Sequence, residues 1–422
     1  MKEVAALISG DNKKIVVLSA MAGTTNKLVE TAQNLYGGDT GKASQIIEEL
    51  ESTYSVVVNS LFSTKEYNDK GKELITSHFN YIRSFTQDIF TRFEERAVLA
   101  QGELISTALF QFYLEETGIK SVLLPALNFM RIDTNQEPDN FYIKENLERE
   151  LNKYPGENLF ITQGYICRNL YGEVDNLKRG GSDYSASLIG AAIGADEIQI
   201  WTDISGMHNN DPRFVEDTKP VYRLTFDEAA ELAYFGAKIL HPSSILPAQL
   251  KGIPVRLKNT MQPEDEGTLI SSDTSGEGIK AIAAKDGITA VKIKSGRMLM
   301  AYGFLRRVFE VFERYKTPID MISTSEVSVS LTVDDTTYLD KIIEELKIYG
   351  TVEVSENNAI ICLVGNNIIG QKGHIGRIFE ALKHISVRMI SYGGSRHSIS
   401  LLIGSGDKEE VLRSLHSSLF TE

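Results

Sequence analysis

Lys178-Arg179-Gly180-Gly181-Ser182-Asp183 stands directly before an apolar run from Tyr184 to Ile193. Two adjacent glycines let a backbone turn tightly and present its N–H groups with no Cβ in the way. Ser182 or Asp183 can cap a helix that follows, and a helix N-terminus attracts anions through its free N–H groups and its dipole. Arg179 adds a planar fork that suits a carboxylate or a phosphate. The segment is therefore either an anion site with an acid beside it or a basic turn that merely starts a helix. The rest of the chain has to decide.

The elements that would position this turn are legible as alternating patterns. Lys13 to Ser19 reads as a buried strand, followed by the small-residue loop Ala20-Met21-Ala22-Gly23-Thr24-Thr25-Asn26. Long helical patterns run from about Ala43 to Glu115, one of them from Phe93 to Phe110. Asn158 to Gly164 and Glu197 to Asp203 are further apolar strands. Strands alternating with helices imply an open α/β sheet covered on both faces, with ligands gathering at the carboxyl ends of its strands. The loops after Ser19, Gln163 and Trp201 should then share a crevice with the Arg179 turn. Thr225-Phe226-Asp227-Glu228 is a capping box that opens a helix towards Lys238. His241-Pro242 reads as a helix ending, with no catalytic role.

Pro263 to Gly278 is polar and glycine-rich, as a linker would be. Beyond it the chain repeats. Gly303-Phe304-Leu305-Arg306-Arg307-Val308-Phe309-Glu310 is echoed by Gly373-His374-Ile375-Gly376-Arg377-Ile378-Phe379-Glu380. Each copy continues with a strand (Ile319 to Ser323; Val387 to Ser391), a second strand (Val327 to Leu331; His397 to Leu401) and an amphipathic helix (Tyr338 to Ile348; Lys408 to Leu419). This is a doubled β-α-β-β-α pattern of the ferredoxin-like kind. A duplicated unit behind an enzyme-like domain suggests a sensor, and dimerisation alone is the plainer alternative.

Composition bounds the possibilities. A chain of 422 residues with 42% hydrophobic and 24% charged content is an ordinary soluble composition, long enough for two or three domains. Forty-four basic against 57 acidic residues give −13, which argues against a nucleic-acid or anionic-membrane partner. Cys167 and Cys362 are far apart and suit a reducing compartment. No apolar run is long enough for a signal-peptide core or a membrane span, so a cytoplasmic location is expected. None of the seven histidines pairs at metal-ligand spacing, so no structural metal is expected.

Taken together, several blocks resemble the aspartokinase family, whose members have an amino-acid-kinase fold. They are Ser19 to Asn26, Gln101-Gly102-Glu103-Leu104-Ile105-Ser106, Gly164 with Arg179 to Asp183, and Trp201 to Gly206. Asp211-Pro212-Arg213, Phe235 to Pro242 and Thr324-Ser325-Glu326-Val327-Ser328-Val329 complete the set. The resemblance spans nearly the whole chain. It implies a kinase domain over 1–270 and two ACT domains at 280–355 and 356–422, with the strand near 280–294 available to both. The implied fold is an open amino-acid-kinase sheet with helices on both faces, followed by two ferredoxin-like units.

The implied reaction is phosphorylation of the L-aspartate β-carboxylate by ATP. Arg179 would clamp a carboxylate, Glu103 would hold the ammonium, and Thr25 and Ser182 would donate hydroxyl hydrogen bonds. The attacking carboxylate is already an anion, so no general base is needed and catalysis reduces to in-line positioning and charge neutralisation. Asp183 would organise the cations around the reaction centre, and Mg²⁺ would arrive on the ATP phosphates. Helix capping by Glu103 or Asp183 is compatible with these roles. Thr202 and Asp203 are expected at the nucleotide, Arg213 and Lys238 at its phosphates, and the main chain near Ile239 at adenine. His208 stands where relatives often have tyrosine, and imidazole can also stack on a base.

Aspartokinases begin with a strand and a Lys-Phe-Gly-Gly-Thr-Ser loop, which occurs nowhere in these 422 residues. Met1 to Ile8 matches the helix after that loop. Taken literally, the chain as written lacks a central strand and a cation facing the transferring phosphoryl group, and little kinase activity is expected of it.

The first ACT unit carries the residues that the resemblance assigns to an effector. Met298, Ala301, Phe304 and Leu305 form a turn into a helix, Ile319 and Asp320 follow, and Thr324, Ser325 and Glu326 close the set. Asp320 and Glu326 would accept an ammonium. Relatives often carry serine at the position of Ala301. The closest pattern is that of monofunctional, lysine-inhibited aspartokinases, with lysine as first effector and threonine as second. No fused dehydrogenase is expected after Glu422, and assembly as a homodimer or a dimer of dimers through the ACT units is. Competing readings are another amino-acid kinase, acting on glutamate or acetylglutamate, and a non-catalytic lysine-binding subunit.

Overall fold

The computed structural model describes residues 1–421 except 11, 88, 178–179, 237–239, 274–275 and 297–301. The chain divides into two compact units, one formed by 1–203 with 240–265 and the other by 204–239 with 266–422. Among the described residues no helix is long and apolar enough to cross a membrane.

In chain order the first unit contributes α1 (Lys2–Ile8), β1 (Lys14–Leu18), α2 (Thr24–Tyr36), α3 (Thr40–Leu61), α4 (Lys65–Ser84), α5 (Arg92–Leu99) and α6 (Gln101–Glu116). It continues with β2 (Val122–Leu124), α7 (Asn140–Leu151), β3 (Leu159–Gln163), β4 (Ile166–Arg168), β5 (Val174–Asn176), α8 (Gly181–Ile193) and β6 (Ile198–Thr202). The second unit supplies β7 (Arg223–Thr225) and α9 (Phe226–Tyr234), and the first resumes with α10 (Pro242–Lys251) and β8 (Val255–Asn259). The second unit then completes the chain with β9 (Thr268–Ser271), β10 (Gly278–Lys294), α11 (Phe304–Arg314), β11 (Ile322–Thr324), β12 (Ser328–Val333) and α12 (Leu339–Leu346). Its last elements are β13 (Thr351–Asn366), α13 (His374–Ala381), β14 (Met389–Ser391), β15 (Ser398–Gly404) and α14 (Lys408–Phe420).

β3 is the reason the first unit exists as a layered sheet. All five of its residues are buried, as a strand covered on both faces requires, and it lies between β1 and β2 with both pairings parallel. Val16 and Leu123 flank Ile161 across the register. β6 pairs in parallel with β8 in the same unit. Helices α3 and α4 form a separate apolar layer around Tyr54, Val58, Ile75 and Phe79. α6 is buried on several faces at once, carrying Gln101, Glu103, Ser106 and Thr107 into the interior beside Ile105 and Leu109. That burial gives its carboxylate unusual properties.

In the second unit the doubled pattern is realised as β10-α11-β11-β12-α12 and β13-α13-β14-β15-α14. Both copies share one antiparallel sheet of order β11-β12-β10-β13-β15-β14. The long β10 pairs with β12 on one side and β13 on the other, with register shifts that let so long a strand bend. Phe304, Val308, Val311 and Phe312 recur at helical spacing and bury one face of α11 on its half of the sheet.

Several expectations are corrected here. Neither Ser182 nor Asp183 caps α8; Gly180, in the left-handed region at φ 74°, is the N-cap, and the two side chains fall in the first turn. The capping box at Thr225 and Glu228 is present, but α9 stops at Tyr234. His241-Pro242 begins a helix where an ending was expected: His241 caps α10, its Nδ1 accepting from Ser243 N at 3.2 Å, with proline at the first helical position where its missing N–H costs nothing. The polar stretch 263–278 contains β9, which pairs with β7. The pattern from Phe93 to Phe110 is divided at Ala100 between α5 and α6.

Candidate functional site

Two chain segments, the start of α6 and the loop after β1, meet around Glu103 in the first unit. The loop after β1 brings Ala20, whose N–H donates to Glu103 Oε1 at 3.2 Å. Ser106 Oγ, one turn further along α6, donates to Ser19 O at 2.8 Å, so the loop is held at two points. The contact is close because position 102 is glycine: a Cβ there would sit 2.8 Å from Ala20 Cβ and 3.1 Å from Thr24 Cγ2. Glu103 is 3% exposed and its Oε2 is buried with no hydrogen-bond partner among the described residues. Burial pushes its carboxyl up to about 7, against the Ala20 N–H that pulls it down. An acid held in this way suits a cation arriving from outside.

A further segment, the start of α8, reaches the carboxyl end of the neighbouring β3. Gly164 N donates to Leu18 O at 2.9 Å, continuing the β1–β3 ladder, and a Cβ on Gly164 would fall 2.4 Å from Ser182 Cβ. The N-terminus of α8 thus seats directly on the end of β3. Tyr165, at φ 63°, donates its N–H to Ser185 Oγ at 2.8 Å and fixes the same junction. Gly180 is backed by α10, where an added Cβ would lie 2.0 Å from Ser244 Oγ. Asp183 is half-buried and burial alone raises its carboxyl to about 6. Thr25 lies half-buried in the first turn of α2, whose N-cap is Gly23.

Thr25, Glu103, Ser182 and Asp183 therefore all belong to segments ending at the carboxyl edge of the β1–β3 pair. Arg179 lies outside the described residues, as do Lys238, Ile239, Met298 and Ala301. Neither Glu103 nor Asp183 serves as an N-cap. Two supports were not apparent in the sequence. Tyr54, fully buried in α3, shares a 3.0 Å hydrogen bond with Thr24 Oγ1. Gln163 donates to Thr107 Oγ1 at 2.9 Å and accepts from Ala126 N at 2.8 Å. Both join residues too distant in the chain for local pattern to reveal.

The expected nucleotide residues are described within their own units. Thr202 ends β6 and its carbonyl accepts from Thr260 N at 2.8 Å; Asp203 is exposed. In the second unit His208 forms a bridge with Pro220, and its Nδ1 lies 3.0 Å from Thr218 Oγ1. Burial lowers its pKa, so the ring is neutral at pH 7. Arg213 is exposed, yet its fork is engaged by Asp211 through Nε at 3.0 Å and Nη2 at 2.6 Å.

The expected effector residues fall into two kinds. Leu305, Thr324, Ser325 and Glu326 are exposed, Ile319 is half-buried, and Phe304 is a core residue of α11. Asp320 differs from what was expected. Its side chain is fully out of solvent, and Oδ1 accepts from Lys285 Nζ at 2.7 Å and from the Tyr234 hydroxyl at 2.9 Å. Burial raises its carboxyl, opposed by Lys285 and Tyr234. An open acceptor for a ligand ammonium is thus not what this conformation presents.

Comparison with known proteins bears on all of this. The model of the amino acid kinase family matches residues 1–259, and that of an ACT domain matches residues 361–419. Lysine-sensitive aspartokinase 3 of Escherichia coli is 34% identical, over 98% of this chain and 94% of that protein. Among solved structures, E. coli aspartokinase III with aspartate and ADP in its R-state matches at a TM-score of 0.86 and 32% identity, covering 99% of this chain and 96% of that one. The same protein with lysine and aspartate in its T-state matches at 0.81 and 33%, with the same coverage.

Proposed function

This chain belongs to the amino acid kinase family and, within it, to the aspartokinases, and from that premise we propose how its residues divide the work on aspartate and ATP. The enzyme class phosphorylates the β-carboxylate of aspartate and is lysine-sensitive in the relative described above. The observation that carries the residue reading is Glu103: a buried acid with one oxygen unpartnered, where the start of α6 meets the loop after β1. An aspartate ammonium would occupy that oxygen and replace burial by ion pairing. The β-carboxylate would then lie towards the N-terminus of α8, where first-turn N–H groups, Ser182 and Arg179 favour negative charge. Thr25 would complete the substrate's hydrogen bonds.

No proton need leave the attacking carboxylate, so these groups act by orientation and by neutralising charge in an in-line transfer. Asp183 would order the cations near the transferring group. ATP is the phosphoryl donor, and magnesium would enter on its phosphates. Thr202, Asp203, neutral His208, Arg213, Lys238 and the main chain at Ile239 are the proposed nucleotide contacts. Arg213 would exchange its Asp211 partner for phosphate oxygens. Lysine is the proposed effector, at the α11 turn and residues 319–326, in a cytoplasmic homodimer or dimer of dimers.

Calorimetric titration with L-aspartate tests the substrate reading without depending on turnover. Aspartate should bind, and should release a proton when titrated near pH 6, because pairing with the ammonium ionises Glu103. Binding that Glu103→Gln leaves unchanged would remove Glu103 from the site.

A further inference from the structure

Asp320, its side chain out of solvent, is the hub of a partly exposed cluster drawn from four separate stretches of the second unit. Lys285 of β10 reaches both Asp320 Oδ1, at 2.7 Å, and Asp334 Oδ2, at 2.8 Å. Its ammonium also lies 4.5 Å from the centroid of the Tyr234 ring, whose hydroxyl donates to Asp320 Oδ1 at 2.9 Å. Asp320 Oδ2 is buried with no hydrogen-bond partner among the described residues. Two carboxylates thus share one ammonium, and the unmatched negative charge favours a second cation.

Asp320 Oδ1 already holds two donors, so an external ammonium can reach that oxygen only if one of them gives way. Moving Lys285 would strand the sealed Asp320 carboxylate and take away the ammonium that Asp334 shares, whereas moving Tyr234 gives up a neutral donor and its ring contact with that ammonium. Tyr234 is the last residue of α9. The other end of that helix is pinned by Glu228, whose Oε2 accepts from Lys280 Nζ of β10 at 2.8 Å. Just past Tyr234, Gly236 passes so close to β10 that a Cβ would meet Ala284 O at 2.0 Å. Detaching Tyr234 therefore removes one of the contacts that hold the final turn of a helix whose start stays fixed, and leaves that turn to the packing of Phe235 and Gly236. That turn leads into 237–239, where nucleotide contacts are proposed.

We propose that an effector ammonium and the Tyr234 hydroxyl compete for Asp320, so that Tyr234 is the positioning residue through which effector binding reaches the nucleotide segment. The inference rests on the effector reading given above. Competition makes a double signature: removing the hydroxyl should tighten effector binding and, in the same variant, weaken its effect on the nucleotide. Loss of packing would not tighten it.

The test uses the full chain and its Tyr234→Phe variant, with L-lysine and ADP titrated calorimetrically and L-threonine as a second effector arm. Lysine should bind Tyr234→Phe about tenfold more tightly, the scale of one hydrogen bond to a charged group. The change in ADP affinity caused by saturating lysine should shrink to about twofold or less, while ADP affinity without lysine stays within about twofold of the parent. Asp320→Asn should lose lysine binding and retain the parent's thermal transition. Lysine affinity that is unchanged or weaker in Tyr234→Phe, or full retention of coupling, overturns the competition. A parent chain that binds neither lysine nor threonine overturns the effector reading itself, and a chain that responds to threonine alone replaces the effector while leaving the competition to be judged on the same variant.

Discussion

Glu103 shows how one residue can be both useful and costly. In the unfolded chain its carboxyl ionises near the ordinary glutamate range, but in the fold it resists ionisation until about pH 7. The group's contribution to stability is therefore fully present below about pH 4.5 and is lost as pH rises through about 7, amounting to about 3 kcal/mol. Asp183 adds to the loss in the same direction, through about pH 6. Urea titrations of the aspartate-free chain at pH 5 and pH 8 should show this decline. Glu103→Gln should remove most of it, because the amide oxygen can still accept from Ala20. The same variant should weaken aspartate binding by about ten- to a hundredfold, the scale of a lost charged hydrogen bond. Stability gained with affinity lost is what a binding role predicts; a purely structural acid would lose both. The sequence singled out Glu103 through the resemblance of its block, Gln101 to Ser106, to the aspartokinases. It could not show that burial would leave one oxygen without a partner.

At the scale of elements, the start of α8 depends on close approach more than on capping. Gly164 carries no Cβ because Ser182 occupies that space. Gly164→Ala should therefore push the first turn of α8 away from β3 and cost about 1–3 kcal/mol, the usual cost of overpacking. Thermal denaturation measures the first effect and aspartate titration the second, which should fall with it. An alanine variant of unchanged stability and affinity would show that the two segments are not as tightly seated as described. The strands and helices of this region were readable from apolar runs and from the alternation of strand with helix. Boundaries were less so: α8 begins at Gly181 because Gly180 can adopt a left-handed conformation, which made a side-chain cap unnecessary. His241 was legible as a boundary but not as a beginning, since a histidine–proline pair can stand at either end of a helix.

For the whole molecule, the family model's residues 1–259 and the compact units do not coincide. Residues 204–239 belong to the same unit as the six-stranded sheet. Glu228 and Lys280 hold them there, with the glutamate fully buried and the lysine nearly so. Lys280→Met should destabilise the protein by about 3–5 kcal/mol, because it strands a buried carboxylate. A double variant with Glu228→Met should recover much of that loss, and chemical denaturation of the three chains measures both. If the single variant costs less than about 1 kcal/mol, the pair does not anchor α9 as described.

The sequence by itself determined the chemistry available, the order of the blocks that carry it and the duplicated β-α-β-β-α pattern, because residue type and short-range spacing set turns, caps and periodicity. Only the tertiary structure decided which charges are enclosed. Ala20 meets Glu103 across 83 residues, and Tyr234 meets Asp320 across 86. Burial and partnering arise from such distant contacts, so the glycine-rich turn before α8 could be recognised from its residues, whereas the raised Glu103 carboxyl and the sealed Asp320 could not.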